Sequence, residues 1–488
     1  MIFNRIVEFV QMKKIVIAVL IIALLTRFIW LDVRPMDHDE SVHAWIALKS
    51  VLEGHNYKYD PAFHGPFLYF SSALMFKIFG DSDFTARLTT ALFSVLGVLV
   101  SLGFKRWIGN SAYIFTFFML FSPSILYYSR YDRNDLIVLA SFLTAIYFYL
   151  RYREERKILF ACLSSFFFAI LFTSKENWVE YLPIFILFAL FYKIKFEKNL
   201  RLNIKGIFAG VVVFLAFSSF LYSSAFVCIF SGENPLNYLL NPSWIEHYSN
   251  VALSYWFSHA ISFGKPKPHF HPVWFFIPIL LKYEFLAVAL FISSIPLVVK
   301  RFRDLSFLEL FAIWWCIVAL TFYHVMSYKT PWLVVHIATP LAFLGSIFVG
   351  REVFRKKSLM IVFVIAAIAT VIASFYITYI NYNDARNEEL IYVQTQPQAI
   401  EMANEIRELV YSGKRVAVYV PQHYYWPLPW ILRHEKNVTY YGDECPVGYD
   451  YVFTTAKEEC EKKGYKALRS YEFRVGFYFY KMVKSSSP

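Results

Sequence analysis

Apolar runs alternate with short polar stretches over the first 380 residues, and the length of those runs is the main structural message of the chain. A helix rises about 1.5 Å per residue, so roughly 20 apolar residues cross the hydrocarbon core of a bilayer. This rule predicts about eleven transmembrane helices, over 15–31, 84–104, 111–128, 135–150, 158–173, 179–192, 206–227, 273–298, 306–322, 332–350 and 358–380. The run 15–31 follows a basic start and lacks a small-residue cleavage site after it, so it reads as a retained first span. Residues 32–83 form a long first outer loop, and loops of that length are usually functional. Two helices are predicted within it. One starts near Met36 with Asp37 as its cap and stops at Gly54; the other runs from Pro66 to Phe79, stops at Gly80 and is aromatic enough to lie in the interface.

The pattern changes near residue 384. A helix over Gln398–Tyr411 is followed by a strand at 415–420, a second helix, and strands at Val438–Tyr441, Tyr451–Thr454 and Tyr471–Tyr480. Such alternation predicts a small α/β domain. The expected organisation is therefore an α-helical polytopic membrane domain, 1–380, followed by an extracytoplasmic α/β domain, 381–488. No Gly-rich phosphate loop opens a helix there, which argues against nucleotide binding.

Composition supports a lipid environment: 58% of the 488 residues are hydrophobic and 17% are charged, against about 25% charged in an average soluble chain. The net charge of +12 raises the question of a nucleic-acid partner. The basic residues, however, sit in loops between apolar runs: Arg5–Lys14, Lys105–Arg106, Arg151–Lys157, Lys193–Lys205, Lys300–Arg303 and Arg351–Lys357. That is the positive-inside pattern; it places these loops and the N-terminus in the cytoplasm and accounts for the charge without nucleic acid. The histidines collect on the opposite, outer segments, where the polar chemistry is expected. Of the five cysteines, Cys445 and Cys460 lie in the polar region, where they form either a disulfide or two free thiols.

The segment Met36-Asp37-His38-Asp39-Glu40-Ser41-Val42-His43 directly follows the first span. Neighbouring residues on a helix point about 100° apart, so Asp39 and Glu40 cannot both face one pocket. Asp39 shares a face with His43 and is the candidate base; the pair could also hold a metal, and the plain alternative is an acidic first turn favoured by the helix dipole. A second cluster, Ser129-Arg130-Tyr131-Asp132-Arg133-Asn134-Asp135, lies at the outer end of a span, where charges are costly unless paired or functional. Asp135 is expected to orient an acceptor or to pair with Arg130, with Arg133 in the same network. Lys175 and Glu176, like Lys329, lie in very short outer loops and read either as partners for an anionic ligand or as snorkelling interfacial charges. His259, His269 and His271 are candidate metal ligands without a tight signature.

Taken together, Asp39-Glu40 after the first span, Thr85-Ala86-Arg87-Leu88 opening the second, Arg130 to Asp135, Ser174-Lys175-Glu176 and Tyr328-Lys329-Thr330-Pro331-Trp332 resemble the GT-C membrane glycosyltransferases. The resemblance is to the dolichyl-phosphate-mannose protein mannosyltransferase-like group, glycosyltransferase 39-like. Within it, Tyr392-Val393-Gln394-Thr395 and Trp426-Pro427-Leu428-Pro429-Trp430 look typical of the archaeal flippase-activity-associated subgroup. The resemblance implies transfer of a sugar, with inversion, from a polyprenyl (dolichyl)-phosphate to a glycan, lipid or protein acceptor on the outer face. It assigns Asp39 as catalytic base with Glu40 beside it, and Lys329, Lys175 or Arg130 as partners of the donor phosphate. Asp135, His43, Arg133 and Glu176 then orient the acceptor. No cofactor is assigned, and a divalent metal stays open. The subgroup's label also admits an accessory role in flipping lipid-linked sugars, without transfer.

Overall fold

The structure is a computed structural model that describes residues 2–196, 203–261 and 269–485, with side chains described from Gln11 onward except at 253, 256, 257 and 259–261. It divides into two compact units: Met1–Leu31 with Ser50–Asn381, and Asp32–Lys49 with Tyr382–Pro488. The division differs from a single cut near 380, because the start of the first outer loop clusters with the C-terminal residues.

In the membrane unit each of the eleven expected segments is helical, but they are not equal. Six helices among the described residues are long and apolar enough to cross a membrane, and a bent pair is either a broken seventh span or a re-entrant loop. Ser111–Phe121 and Ile158–Phe172 have 11 and 15 residues, short of the roughly 20 that a bilayer core needs. The expected span 273–298 is instead the bent pair, Phe276–Tyr283 and Phe285–Arg301, meeting at 98°. The unit is that of a multi-span membrane protein.

The helix Val334–Arg355 forms its centre. It packs against Ser111–Phe121, Phe285–Arg301 and Phe307–Val325. Gly345 sets one of these distances, since a Cβ there would lie 2.6 Å from the Leu290 carbonyl carbon; small residues permit such close helix contact in membranes. By contrast, only 22% of the apolar window in Ile204–Tyr222 or Lys357–Ile380 is covered by protein, which marks these helices as peripheral.

The second unit contains β1 (Val416–Tyr419), β2 (Val438–Tyr441), β3 (Tyr451–Thr454), β4 (Tyr465–Arg474) and β5 (Phe477–Lys484), in the order β2-β1-β3-β5-β4. β1 is parallel to β2 and β3, whereas β5 is antiparallel to β3 and β4. The expected strand Tyr471–Tyr480 is a hairpin: Gly476, at φ 73°, reverses the chain between β4 and β5. The helix Pro397–Tyr411 covers one face with Ala399, Met402, Ala403 and Ile406, packed against Val416, Val418 and Phe453. On the other face Cys445 and Cys460 form a disulfide that packs with Ala417, Val452 and Met482.

Candidate active site

The membrane unit gathers its most concentrated charge where three chain segments end. The Lys175 ammonium donates to Asp135 Oδ1 at 2.6 Å, and His336 Nε2 meets the same oxygen at 3.1 Å. Asp135 begins the helix Asp135–Glu155, Lys175 lies in the turn after Ile158–Phe172, and His336 is in the first turn of the central helix. Asp135 and His336 are at most 1% exposed and Lys175 is 7% exposed. The His336 ring is fixed by the Tyr181 hydroxyl at Nδ1, 2.5 Å, and meets Asn177 Nδ2 at 3.2 Å. Arg133 lies 3.8 Å from Asp135 Oδ2 and stacks on Trp332, 3.6 Å from the ring centre. Burial pushes the Lys175 ammonium below its ordinary value, and the adjacent carboxylate opposes that shift. Among the described residues, Asp135 Oδ2 and Asn177 Oδ1 have no hydrogen-bond partner, so buried acceptor capacity remains here.

The turn that carries Lys175 is held from the first outer loop. Gly65 N–H donates to Ser174 O at 3.0 Å, and Phe67 N–H donates to Thr173 O at 3.0 Å. A Cβ on Gly65 would lie 2.2 Å from the Thr173 oxygen, so the approach requires glycine. The next residue, Glu176, turns away and takes His64 Nδ1 at 2.7 Å and the Tyr59 hydroxyl at 3.4 Å.

The other expected cations are placed separately. Arg130 does not pair with Asp135: it donates to the carbonyls of Arg27, at 3.0 Å, and Trp30, and lies over the Tyr379 ring. The carbonyls at the C-terminal end of the first helix, with no intrahelical donors, attract it. Lys329, 1% exposed, donates to the carbonyls of Met326 and His271. Among the described residues no carboxylate lies within ion-pair distance of it, and burial lowers its affinity for a proton. Its loop pairs backbone to backbone with His269–His271. There the His271 ring stacks on Phe275 and the His269 ring meets Tyr328 edge-on. The His259 side chain is outside the described residues, and among those described no group of three His, Cys, Asp or Glu is arranged to hold a metal.

The second unit contains the expected catalytic carboxylates. Asp37 caps the helix His38–Trp45 and forms a capping box with Glu40. Glu40 is fully buried, and Arg34 contacts both its oxygens, at 2.9 and 3.1 Å. Arg34 is held in turn by Gln394 at 2.8 Å. Asp39 is half-buried in the first turn, four residues before the buried His43. Arg474, at the end of β4, contacts His38 Nδ1 at 3.2 Å and donates to the Trp426 carbonyl. Burial lowers its pKa, and the charges of Asp37 and Asp39 oppose this. Trp45 packs edge-on against Trp426.

His336, Asn177 and Arg474 are the main residues that the sequence reading overlooked. A polar side chain inside an apolar helix is a signal that could have flagged His336. Arg474 has no local signal, because what brings it to His38 is the sheet.

Comparison with known proteins gives the fold: the chain has that of the solved protein ArnT. The family model described as "Dolichyl-phosphate-mannose-protein mannosyltransferase" matches residues 63–222. ArnT from Cupriavidus metallidurans bound to undecaprenyl phosphate superposes over 97% of this chain and 98% of its own, with 16% identity and a TM-score of 0.63. The same protein in the apo state matches over 98% and 100%, with 15% identity and a TM-score of 0.63. The Saccharomyces cerevisiae Pmt1-Pmt2 complex bound to the sugar donor matches 46% of this chain and 33% of its own, with 18% identity and a TM-score of 0.35, too low to add to the argument. No curated protein matches the chain in sequence.

Proposed function

We propose that this protein transfers a sugar from a polyprenyl-phosphate donor to an acceptor on the extracytoplasmic face. The observation that carries this reading is the family match over 63–222, which includes both partners of the buried Asp135–Lys175 pair. The end-to-end likeness to the ArnT fold supports it. The proposed orientation, with the basic loops inside and the α/β unit outside, agrees with the Cys445–Cys460 disulfide, a bond of oxidising compartments.

In the proposed step, the acceptor oxygen attacks the anomeric carbon as the bond from that carbon to the phosphate oxygen breaks. The configuration inverts, the acceptor proton passes to Asp39, and polyprenyl phosphate leaves with the bonding pair. Removing a general base costs about 10²- to 10⁴-fold in rate. The departing phosphate needs a cation, and Lys329 is the best provided, being buried against neutral carbonyls rather than a carboxylate. Lys175 and Arg130 are already engaged by Asp135 and by backbone, so their proposed part is to shape the surroundings. Asp135 and Arg133 orient substrate. Glu40, with both oxygens bonded, holds the helix start on which Asp39 sits.

The test is sugar transfer by purified protein in lipid. Asp39→Asn is expected to lose about 10²- to 10⁴-fold in turnover while still binding donor. Turnover unchanged by Asp39→Asn would reject Asp39 as the base. Some intramembrane charges are met by the surrounding protein. Arg27, for instance, is fully buried and donates to the Met119 and Leu120 carbonyls and to Ser94.

A further inference from the structure

Three of the six basic loops converge on one cavity that the proposed transfer leaves unused. The helices Asp135–Glu155 and Val334–Arg355 begin together, at Asp135 and His336, and run in the same direction. About sixteen residues further on, at about 1.5 Å per residue, their other ends lie roughly 25 Å from the charged cluster. A cavity of about 590 Å³ opens there, lined by Arg153 and Arg156 at the end of the first of these helices, by Arg351 from the second, and by Arg301 at the end of Phe285–Arg301. Part of the wall is apolar, with Ile108, Leu150, Leu308 and Ile347 among its residues, and Glu154, Asp304 and Glu309 also line it.

The lining acids do not neutralise these cations equally. Glu154 takes Arg106 at 2.7 Å and the Trp107 indole at 2.6 Å. Glu309 takes Arg301 at 2.9 Å and caps its own helix through Ser306 N–H at 2.8 Å. Among the described residues, Arg156 and Arg351 have no carboxylate within ion-pair distance, and one further acid, Asp304, shares the cavity. Both arginines are exposed. Beside Arg156 in the chain, Ile158 and Leu159 are 44% and 62% exposed, and beside Arg301, Val299 and Phe302 are 71% and 64% exposed. Large exposed apolar side chains beside the arginines mark the mouth as lying at the bilayer edge rather than in bulk water.

We propose that this cavity binds the phosphodiester headgroup of an anionic membrane lipid, with Arg156 and Arg351 on the phosphate and an acyl chain along the Leu150–Ile347 wall. A guanidinium presents paired N–H donors that match phosphate oxygens, and basic pockets between spans on the cytoplasmic side are suited to such headgroups. The site is independent of the transfer reaction.

Binding of fluorescent phosphatidylglycerol to the full-length protein in phosphatidylcholine nanodiscs tests the proposal. Arg156→Gln with Arg351→Gln is expected to weaken it about thirtyfold, as removing two basic residues near an anionic surface should. Lys193→Gln with Lys195→Gln removes the same charge from a basic segment that does not line the cavity, and is expected to leave affinity within about twofold. Equal loss in both double variants, or no preference for phosphatidylglycerol over phosphatidylcholine in the wild type, would overturn the site. Glycerol phosphate competing as well as the lipid would also overturn it, since the apolar wall would then contribute nothing. Because both arginines are exposed, an unchanged unfolding temperature of the variant separates lost binding from lost folding.

Discussion

Asp135 in the membrane unit and Glu40 in the α/β unit are both buried carboxylates met by a cation, and they differ in what is left over. Glu40 has Arg34 on both oxygens and the Asp37 N–H on one of them at 3.2 Å. Asp135 places Lys175 and His336 on Oδ1, while among the described residues Oδ2 has no hydrogen-bond partner and Arg133 is 3.8 Å from it. A saturated carboxylate fixes a loop, whereas a half-used one can still accept a hydrogen bond from a substrate hydroxyl. A buried acceptor without a partner costs about 1–3 kcal/mol, so its persistence in a charged cluster fits a place that a ligand fills. The contrast separates two acids that looked alike as members of short charged motifs.

The largest effect is expected where the pair has least support. Lys175→Ala leaves Asp135 buried with His336 and, 3.8 Å away, Arg133, and should cost about 3–5 kcal/mol in unfolding measured in lipid; a loss below about 1 kcal/mol would mean that Asp135 is solvated, and the contrast would fail. Breaking the Cys445–Cys460 bond with a Ser pair comes next. It releases a loop with a sequence separation of 15, for which about 3 kcal/mol is expected. Hydrogen exchange should rise in β1, β3 and β5 and stay unchanged in the helices of the membrane unit. Arg34→Ala should cost less, about 1.5–3 kcal/mol, because the Asp37 N–H still serves Glu40; Arg34→Lys should recover part of this, since one of two contacts can be kept. Tyr59→Phe, which removes a long 3.4 Å bond to a Glu176 already held by His64, should change stability by about 0.5 kcal/mol or less.

What could be read from the chain followed physical range. Apolar runs are local, so all eleven helical segments were legible, and so was the Asp37 cap, which needs only three residues. Which helices are long enough to span was less so, because the break at Glu284 between Tyr283 and Phe285 leaves no gap in hydropathy. Alternation reports a strand's faces and not its direction, which hid the hairpin at Gly476. Lys175 and Asp135 were each visible as charges at span ends. Their pairing, and His336 201 residues beyond Asp135, depends on helix packing that no local pattern encodes. Arg34 has no place in the sequence reading, and only its contact with Glu40 shows that both Glu40 oxygens are taken.

The most direct measurement is release of polyprenyl phosphate from a labelled polyprenyl-phosphate sugar by the wild-type protein in lipid, with the sugar followed onto candidate acceptors. The account predicts one polyprenyl phosphate released for each sugar transferred, with inverted configuration at the anomeric carbon. Wild-type protein that binds the donor yet releases none, across donors and acceptors, would contradict it and move the protein to a flipping-associated role.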